Sequence, residues 1–201
     1  MNEPMEINAH SQPLTVFAAW MKEAQAHPHI REATAMALAT SDAGGAIHNR
    51  IVLCKSWSDS GLHFYTNYLS QKGRELASHP MAGAVFYWDP LARQIRVSGP
   101  VTKLSRAVSQ EYWRSRPRES QLSQYVSKQS ESLSSREELQ LLWRQAELEF
   151  AGREIPCPEH WGGYSLEIKT LEFWLGQPGR LHDRYQFEKT GKAWTFRRLY
   201  P

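Results

Sequence analysis

Apolar positions along the chain recur with two periods, and the switches between them lay out a succession of elements. After a polar segment at 1–12, Leu14, Phe17, Trp20, Met21 and Ala24 form a helical stripe, with Pro13 in the first turn and His27-Pro28 ending it. Ala35–Thr40 reads as a strand, Ser41–Gly45 as a turn, and Ile47–Lys55 as a second strand. Ser58–Gly61 is a hairpin turn leading into Leu62–Thr66. Ser70 can cap a short helix over Gln71–Ser78. Met81–Trp88 is apolar enough for a central strand, broken by Asp89-Pro90. Arg93–Leu104 is the longest predicted strand, with Ile95 and Val97 on one face and Gln94, Arg96 and Ser98 on the other. Ser105 can cap a helix to about Ser115.

Residues 116–134 read as loop, rich in Ser and Gln. Ser135 and Glu138 form a capping box for a helix whose Leu139, Leu142, Trp143, Ala146 and Phe150 make a core stripe. Pro156 and Pro158 mark a connector. The last strands are expected at Tyr164–Leu166 with Leu171–Leu175, Arg180–Phe187, and Trp194–Leu199. Short strands, turns and a few helices suggest an α+β, mainly β fold: a β-barrel with helical additions. No repeat or linker divides it, so a mobile tail (1–12) precedes one domain (13–201).

At 201 residues, with 41% hydrophobic and 22% charged content, the chain can bury a full core. No apolar run approaches the length that spans a bilayer, and the acidic start Met1–Glu6 lacks the apolar stretch of a secretory signal. A formal charge of +3, spread singly, suits small anions better than nucleic acid. Cys54 reads as a buried core thiol. Cys54 and Cys157 are far apart, which suits a reducing cytoplasm, and no spaced His/Cys cluster indicates a metal.

Several constellations could carry chemistry. If Arg180–Arg184 is extended, Arg180, His182 and Arg184 share a cationic face. Arg50 and Lys55 bracket an apolar strand. Lys72 and Arg74 lie in the first turn of a helix, where the dipole disfavours cations and favours a bound phosphate. Tyr112 and Arg116 share a helix face, and Pro117 lets Ser120 turn back toward them, giving donors for a second phosphate. Gly162-Gly163 beside aromatics would admit a flat ligand close to the backbone. Each also has a plainer reading as a solvated strand edge, a tolerated charge at a helix end, or core aromatics. There is no GxGxxG, Walker or Gly-x-Ser-x-Gly sequence.

In series, these segments resemble the pyridoxine (pyridoxamine) 5′-phosphate oxidase family of FMN-dependent flavoproteins, from about Pro13 to Pro201. The resemblance is carried by Arg50…Lys55, Phe64-Tyr65-Thr66-Asn67, Lys72-Gly73-Arg74, Arg93-Gln94, Ser115–Gln121, Ser127-Lys128-Gln129-Ser130, His160–Gly163, Glu172-Phe173-Trp174 and Arg180-Leu181-His182-Asp183-Arg184. It implies an FMN-binding split β-barrel with flanking helices, and a homodimer with FMN at the subunit interface. It implies oxidation of pyridoxine or pyridoxamine 5′-phosphate by O2 to pyridoxal 5′-phosphate and H2O2, with hydride passing from C4′ to flavin N5.

By the same resemblance, Arg50 and Lys72 hold the FMN phosphate. Ile51, Val52, Leu53, Cys54, Lys55, Tyr65, Thr66, Gln71, Gln94, Gln129, Ser130, Trp174 and Arg184 complete the flavin site. Lys55, Tyr112, Arg116 and Ser120 grip the substrate phosphate, while Arg180 and His182 lie against the pyridine ring as the catalytic pair. Glu32 stands where the family carries an acid near the substrate. Departures are Gln71 for a frequent arginine, Cys54 for leucine, Ser123-Gln124-Tyr125 for Gly-Ala-Trp, and a short N-terminus without the basic segment that some members fold over the site. The rival readings are a related oxidase of the phenazine type and a non-catalytic flavin- or pyridoxal-phosphate-binding protein.

Overall fold

A computed structural model describes residues 6–191 and 193–201. In chain order the elements are α1 (Pro13–Ala26), β1 (Ala35–Ser41), β2 (Ile47–Leu53), β3 (Ser56–Ser58), β4 (Gly61–Asn67), α2 (Gln71–Ser78), β5 (Met81–Trp88), β6 (Arg93–Lys103), α3 (Arg106–Ser115), α4 (Arg118–Val126), α5 (Arg136–Glu149), β7 (Trp161–Leu166), β8 (Thr170–Leu175), β9 (Asp183–Thr190) and β10 (Ala193–Leu199). The serine caps form as expected: Ser70, Ser105 and Ser135 accept from the backbone N–H groups of Gly73, Val108 and Glu138.

The long strand β6 explains why the barrel is split. One edge pairs with β5 from Trp88↔Arg93 to Met81↔Pro100. The other edge is shared: Arg93–Ser98 pairs with β8 and Val101–Lys103 with β7. From that fork, β7 continues through β4 to β3, while β8 continues through β9 to β10; β5 leads through β1 to β2. The connection between β7 and β8 crosses at Gly99, flanked by Glu167 N–H to Pro100 O (2.9 Å) and Lys169 N–H to Ser98 O (3.0 Å). A Cβ on Gly99 would lie 2.0 Å from the Glu167 carbonyl oxygen, so the crossing needs glycine.

Helix α1 fills the barrel end with the stripe its sequence displays. Phe17 packs edge-on against Trp57 (5.3 Å) and Phe86 (5.6 Å), and Trp20 against Phe173 (5.2 Å). A second, smaller core joins α3, α4 and α5 to β7 through Trp113, Leu122, Ala146, Phe150, Ile155 and Trp161. Trp113 Nε1 donates to Ile155 O (2.8 Å), fixing that junction.

Four expectations change. Residues 116–134 are not all loop: Pro117 stands at the N-cap of α4, Glu119 lies in its first turn, and Leu122 is buried. The apolar stripe of α5 is core only at its C-terminal end, since Ala146 and Phe150 are buried while Leu139 and Leu142 are exposed. The strand expected from Arg180 begins at Asp183. Pro178–Arg180 forms a 3-10 turn with Gly179 and Arg180 both at positive φ (67° and 61°), so Arg180, His182 and Arg184 do not share a strand face. Of the expected tail, residues 1–5 lie outside the described residues, and Ile7 is buried in the main core.

Gly99→Ala is expected to destabilise the protein by about 1–3 kcal/mol, as overpacking against backbone does. A urea midpoint equal to that of the unaltered chain would contradict the close crossing.

Candidate functional site

Helix α2 carries a buried cation that, among the described residues, has no carboxylate within ion-pair distance. Lys72 is 7% exposed, and its Nζ donates to Thr66 Oγ1 (3.2 Å), Gln129 Oε1 (3.2 Å) and Ser70 Oγ (3.4 Å), all neutral acceptors. Burial, and then the nearby Arg50 charge, push its pKa down to about 8, with Glu75 opposing them. Arg50, from β2, is held differently: Nη2 donates to Glu75 Oε2 (3.1 Å), and Nη1 to Thr40 and to Leu38 O (3.4 Å). Burial pushes the Glu75 carboxyl up. The hydrogen bonds from Thr40 and Arg50, with the Arg50 and His48 charges, outweigh it and leave the carboxyl below its usual range.

Lys72 opens onto a recess of about 410 Å³ whose walls include Ile51, Val52, Leu53, Lys55, Tyr65, Thr66, Tyr112, Arg116, Ser120 and Gln129. Tyr65 stacks on Tyr112 (3.9 Å), and the Arg116 guanidinium lies over Trp161 (4.9 Å). Arg116 Nη2 donates to Ser120 O (3.3 Å), which brings the start of α4 back to the end of α3 as Pro117 suggested. Burial raises the Tyr112 phenol, with Arg116 opposing, and burial also raises Tyr65, so both stay protonated donors. Lys72 thus shares one recess with Lys55, Tyr112, Arg116 and Ser120, whereas Arg50, whose charge acts on Lys72, is not among its lining residues. A buried ammonium lacking an anion, beside the apolar 51–53 strand and stacked aromatics, fits a flat ligand ending in phosphate.

The remaining expected residues lie elsewhere in the chain. Gln94, Trp174 and Arg184 stand side by side across β6, β8 and β9. The His182 ring packs on Trp174 (4.6 Å), and its Nδ1 accepts from the Gln177 backbone N–H (3.1 Å), so the neutral ring carries its proton on Nε2. Arg184 Nε donates to buried Glu172 (2.8 Å), whose other oxygen accepts from Arg96 (3.1 Å). Arg180 and Ser130 are exposed. None of these lines the recess described above.

Four placements bear on the expected site. Gln71 faces a separate hollow with His48, Arg74 and Glu75. Cys54 is the buried core thiol that the sequence suggests and does not line the recess: burial pushes its thiol up to about 12, and its N–H donates to Thr34 O (2.9 Å). The space beside Gly162 and Gly163 goes to the chain's own Tyr68, Ser109, Leu104 and Tyr65 rather than to a ligand. Glu32 accepts from Thr34 and does not reach the recess. Sequence reasoning gave no role to Glu75 and Glu172, the two buried carboxylates that hold Arg50 and Arg184. A signal existed for Glu172, an acid inside the apolar run 171–175, which must find a cation when buried.

Comparison with known proteins agrees with this geometry. A sequence profile described as pyridoxamine 5′-phosphate oxidase matches residues 22–148. A second, described as the pyridoxine 5′-phosphate oxidase C-terminal dimerisation region, matches residues 161–201. The chain is 44% identical over 196 residues to the pyridoxine/pyridoxamine 5′-phosphate oxidase of Cyanothece sp., covering 98% of this chain and 92% of that one. It is 43% identical over 204 residues to the pyridoxine-5′-phosphate oxidase of Bos taurus, covering 94% and 78%. Among solved structures, PhzG from Burkholderia lata 383, in complex with tetrahydrophenazine-1-carboxylic acid, superposes with a TM-score of 0.89 at 32% identity, covering 95% and 93%. A pyridoxamine 5′-phosphate oxidase-related, FMN-binding protein from Nostoc punctiforme shares the fold, with a TM-score of 0.77 at 17% identity over 95% and 99%. With both profiles and these relatives spanning almost its whole length, the chain belongs to the pyridoxine/pyridoxamine 5′-phosphate oxidase family.

Proposed function

We propose that this protein is an FMN-dependent oxidase that converts pyridoxine 5′-phosphate and pyridoxamine 5′-phosphate, with O2, to pyridoxal 5′-phosphate and H2O2 in vitamin B6 metabolism. The observation that carries this reading is a recess lined by Lys72 together with Lys55, Tyr112, Arg116 and Ser120, donors enough for two phosphate-ended ligands. Lys72 and Arg50 are assigned to the FMN phosphate; Thr66, Gln129, Tyr65 and the 51–53 strand are assigned to the rest of the flavin. Lys55, Tyr112, Arg116 and Ser120 are assigned to the substrate phosphate. Fixing that distant phosphate aligns the carbon to be oxidised, which is the main demand of the reaction. When bound, FMN supplies the hydride acceptor for C4′ and the route of the electrons to O2.

Trp174, Arg180, His182 and Arg184 fall within the segment matched by the dimerisation region, yet they lie away from the recess of their own chain. They are therefore assigned, with Gln94, to the recess of a second copy, so that the homodimer forms two sites. The exposed Ile47, Ile51, Met81 and Tyr87 give β2 and β5 an apolar surface suited to such a partner. His182, with its proton on Nε2, serves as a hydrogen-bond donor to the substrate, and Arg180 supplies charge rather than a base, given the high guanidinium pKa. No described helix is long and apolar enough to cross a membrane. Two free cysteines support a place in the reducing cytoplasm. The PhzG likeness raises a carboxylic-acid substrate as the rival, and the phosphate donors of α3 and α4 argue against it.

The central test is peroxide formation and flavin bleaching on adding pyridoxine 5′-phosphate to purified protein; no bleaching under anaerobic conditions would refute the assignment. Arg180→Ala and His182→Ala are expected to retain FMN and lose most turnover, and wild-type rates in both would show that this segment lies outside the site. Lys72 has a folded pKa near 8 against an ordinary 10.5, so its stabilising contribution is present above 10.5 and lost as pH falls through 8. At neutral pH the charged group thus destabilises the unliganded fold. Lys72→Met is expected to leave the unliganded melting temperature unchanged or higher, while FMN affinity drops roughly 10–100-fold, the scale of a charged hydrogen bond. In the wild type, FMN affinity should fall above pH 8, and Lys72→Met should lack that fall; fluorescence titration across pH reads both.

A further inference from the structure

Glu75 has no part in the assignments above, although it is bonded directly to Arg50, one of the two cations assigned to the phosphate. It stands one helical turn after Lys72 on α2 and is 4% exposed. Its Oε2 accepts from Arg50 Nη2 (3.1 Å) and from the Thr40 hydroxyl, which itself accepts from Arg50 Nη1. Its Oε1 lies 2.8 Å from His48 Nδ1. On charge alone a carboxylate is wrong here, because it repels an incoming phosphate and offsets the Arg50 charge. Its contribution must be one that outweighs this repulsion.

That contribution is geometric. A free arginine side chain carries about 2 kcal/mol of rotamer entropy and must be ordered when it grips a ligand. Here the ordering is done beforehand. The guanidinium has five N–H donors. Three are spent on Thr40, Leu38 and Glu75, which leaves Nε–H and one Nη2–H for an anion. We propose that Glu75 is a positioning residue for the cofactor: it fixes the Arg50 guanidinium beside Lys72, so that FMN meets a preformed phosphate cradle. This rests on the reading of Arg50 and Lys72 as the FMN phosphate site.

The test compares FMN with riboflavin, the same ring system without the phosphate, titrated into flavin-free protein by fluorescence quenching. Glu75→Leu is expected to weaken FMN binding by tenfold or more and to leave riboflavin unchanged. Glu75→Asp keeps the charge but withdraws it from Arg50, and is expected to behave like the leucine variant. Glu75→Gln keeps an acceptor oxygen for Arg50 and Thr40 and should restore most of the FMN affinity. In an Arg50→Ala background, Glu75→Leu should no longer weaken FMN binding. Unchanged or tighter FMN binding in Glu75→Asp and Glu75→Leu would overturn the proposal in favour of simple repulsion. Equal loss of FMN and riboflavin would overturn it in favour of general damage. Wild-type protein that binds the two flavins equally would overturn the phosphate reading itself, and this proposal with it.

Discussion

An ammonium group buried without an anion is the constraint around which the site is built. Lys72 is surrounded by a hydroxyl from β4, the capping serine of its own helix and an amide from the segment after α4. Neutral acceptors soften its desolvation without cancelling the charge, which is why its pKa sits near 8. The unliganded fold therefore carries an unfavourable charge at Lys72, which a bound anion would relieve.

The arginines are handled in the opposite way. Arg50 is braced by Glu75 on α2, and Arg184 by Glu172 on β8. Each buried carboxylate sacrifices some local positive potential in return for a fixed guanidinium. The pattern recurs in the two parts of the chain that face different ligand surfaces. Among the described residues, Lys72 has only neutral partners, whereas Arg50 and Arg184 are held in position by carboxylates.

The forked strand β6 relates these parts. Its edge pairs with β7 at one end and β8 at the other. Through β4 and β7 it supports the recess floored by Tyr65, Tyr112 and Trp161; through β8 and β9 it supports Gln94, Trp174 and Arg184. The fork thus carries the two residue sets on different strands, and Gln94, Trp174 and Arg184 do not line the recess of their own chain.

Much of this was legible in the sequence because it depends on local chemistry. Helix α1, the three serine-capped helices and the strands β1, β2, β4, β5 and β6 follow from periodicity and from capping residues next to the elements they start. The grouping of Tyr112, Arg116 and Ser120 follows from helical spacing and a proline. Where sequence reading went astray, long-range packing had the deciding vote. Helix α4 forms because Leu122 finds the Trp113–Trp161 cluster, although its sequence is polar. The Arg180 segment turns instead of extending, because positive φ at Gly179 and Arg180 folds His182 back onto Trp174 and the Gln177 amide. Most of all, the sequence names the cations, but only tertiary structure decides which are paired. Glu75 lies 25 positions from Arg50 and Glu172 lies 12 from Arg184, and only the folded chain makes those contacts.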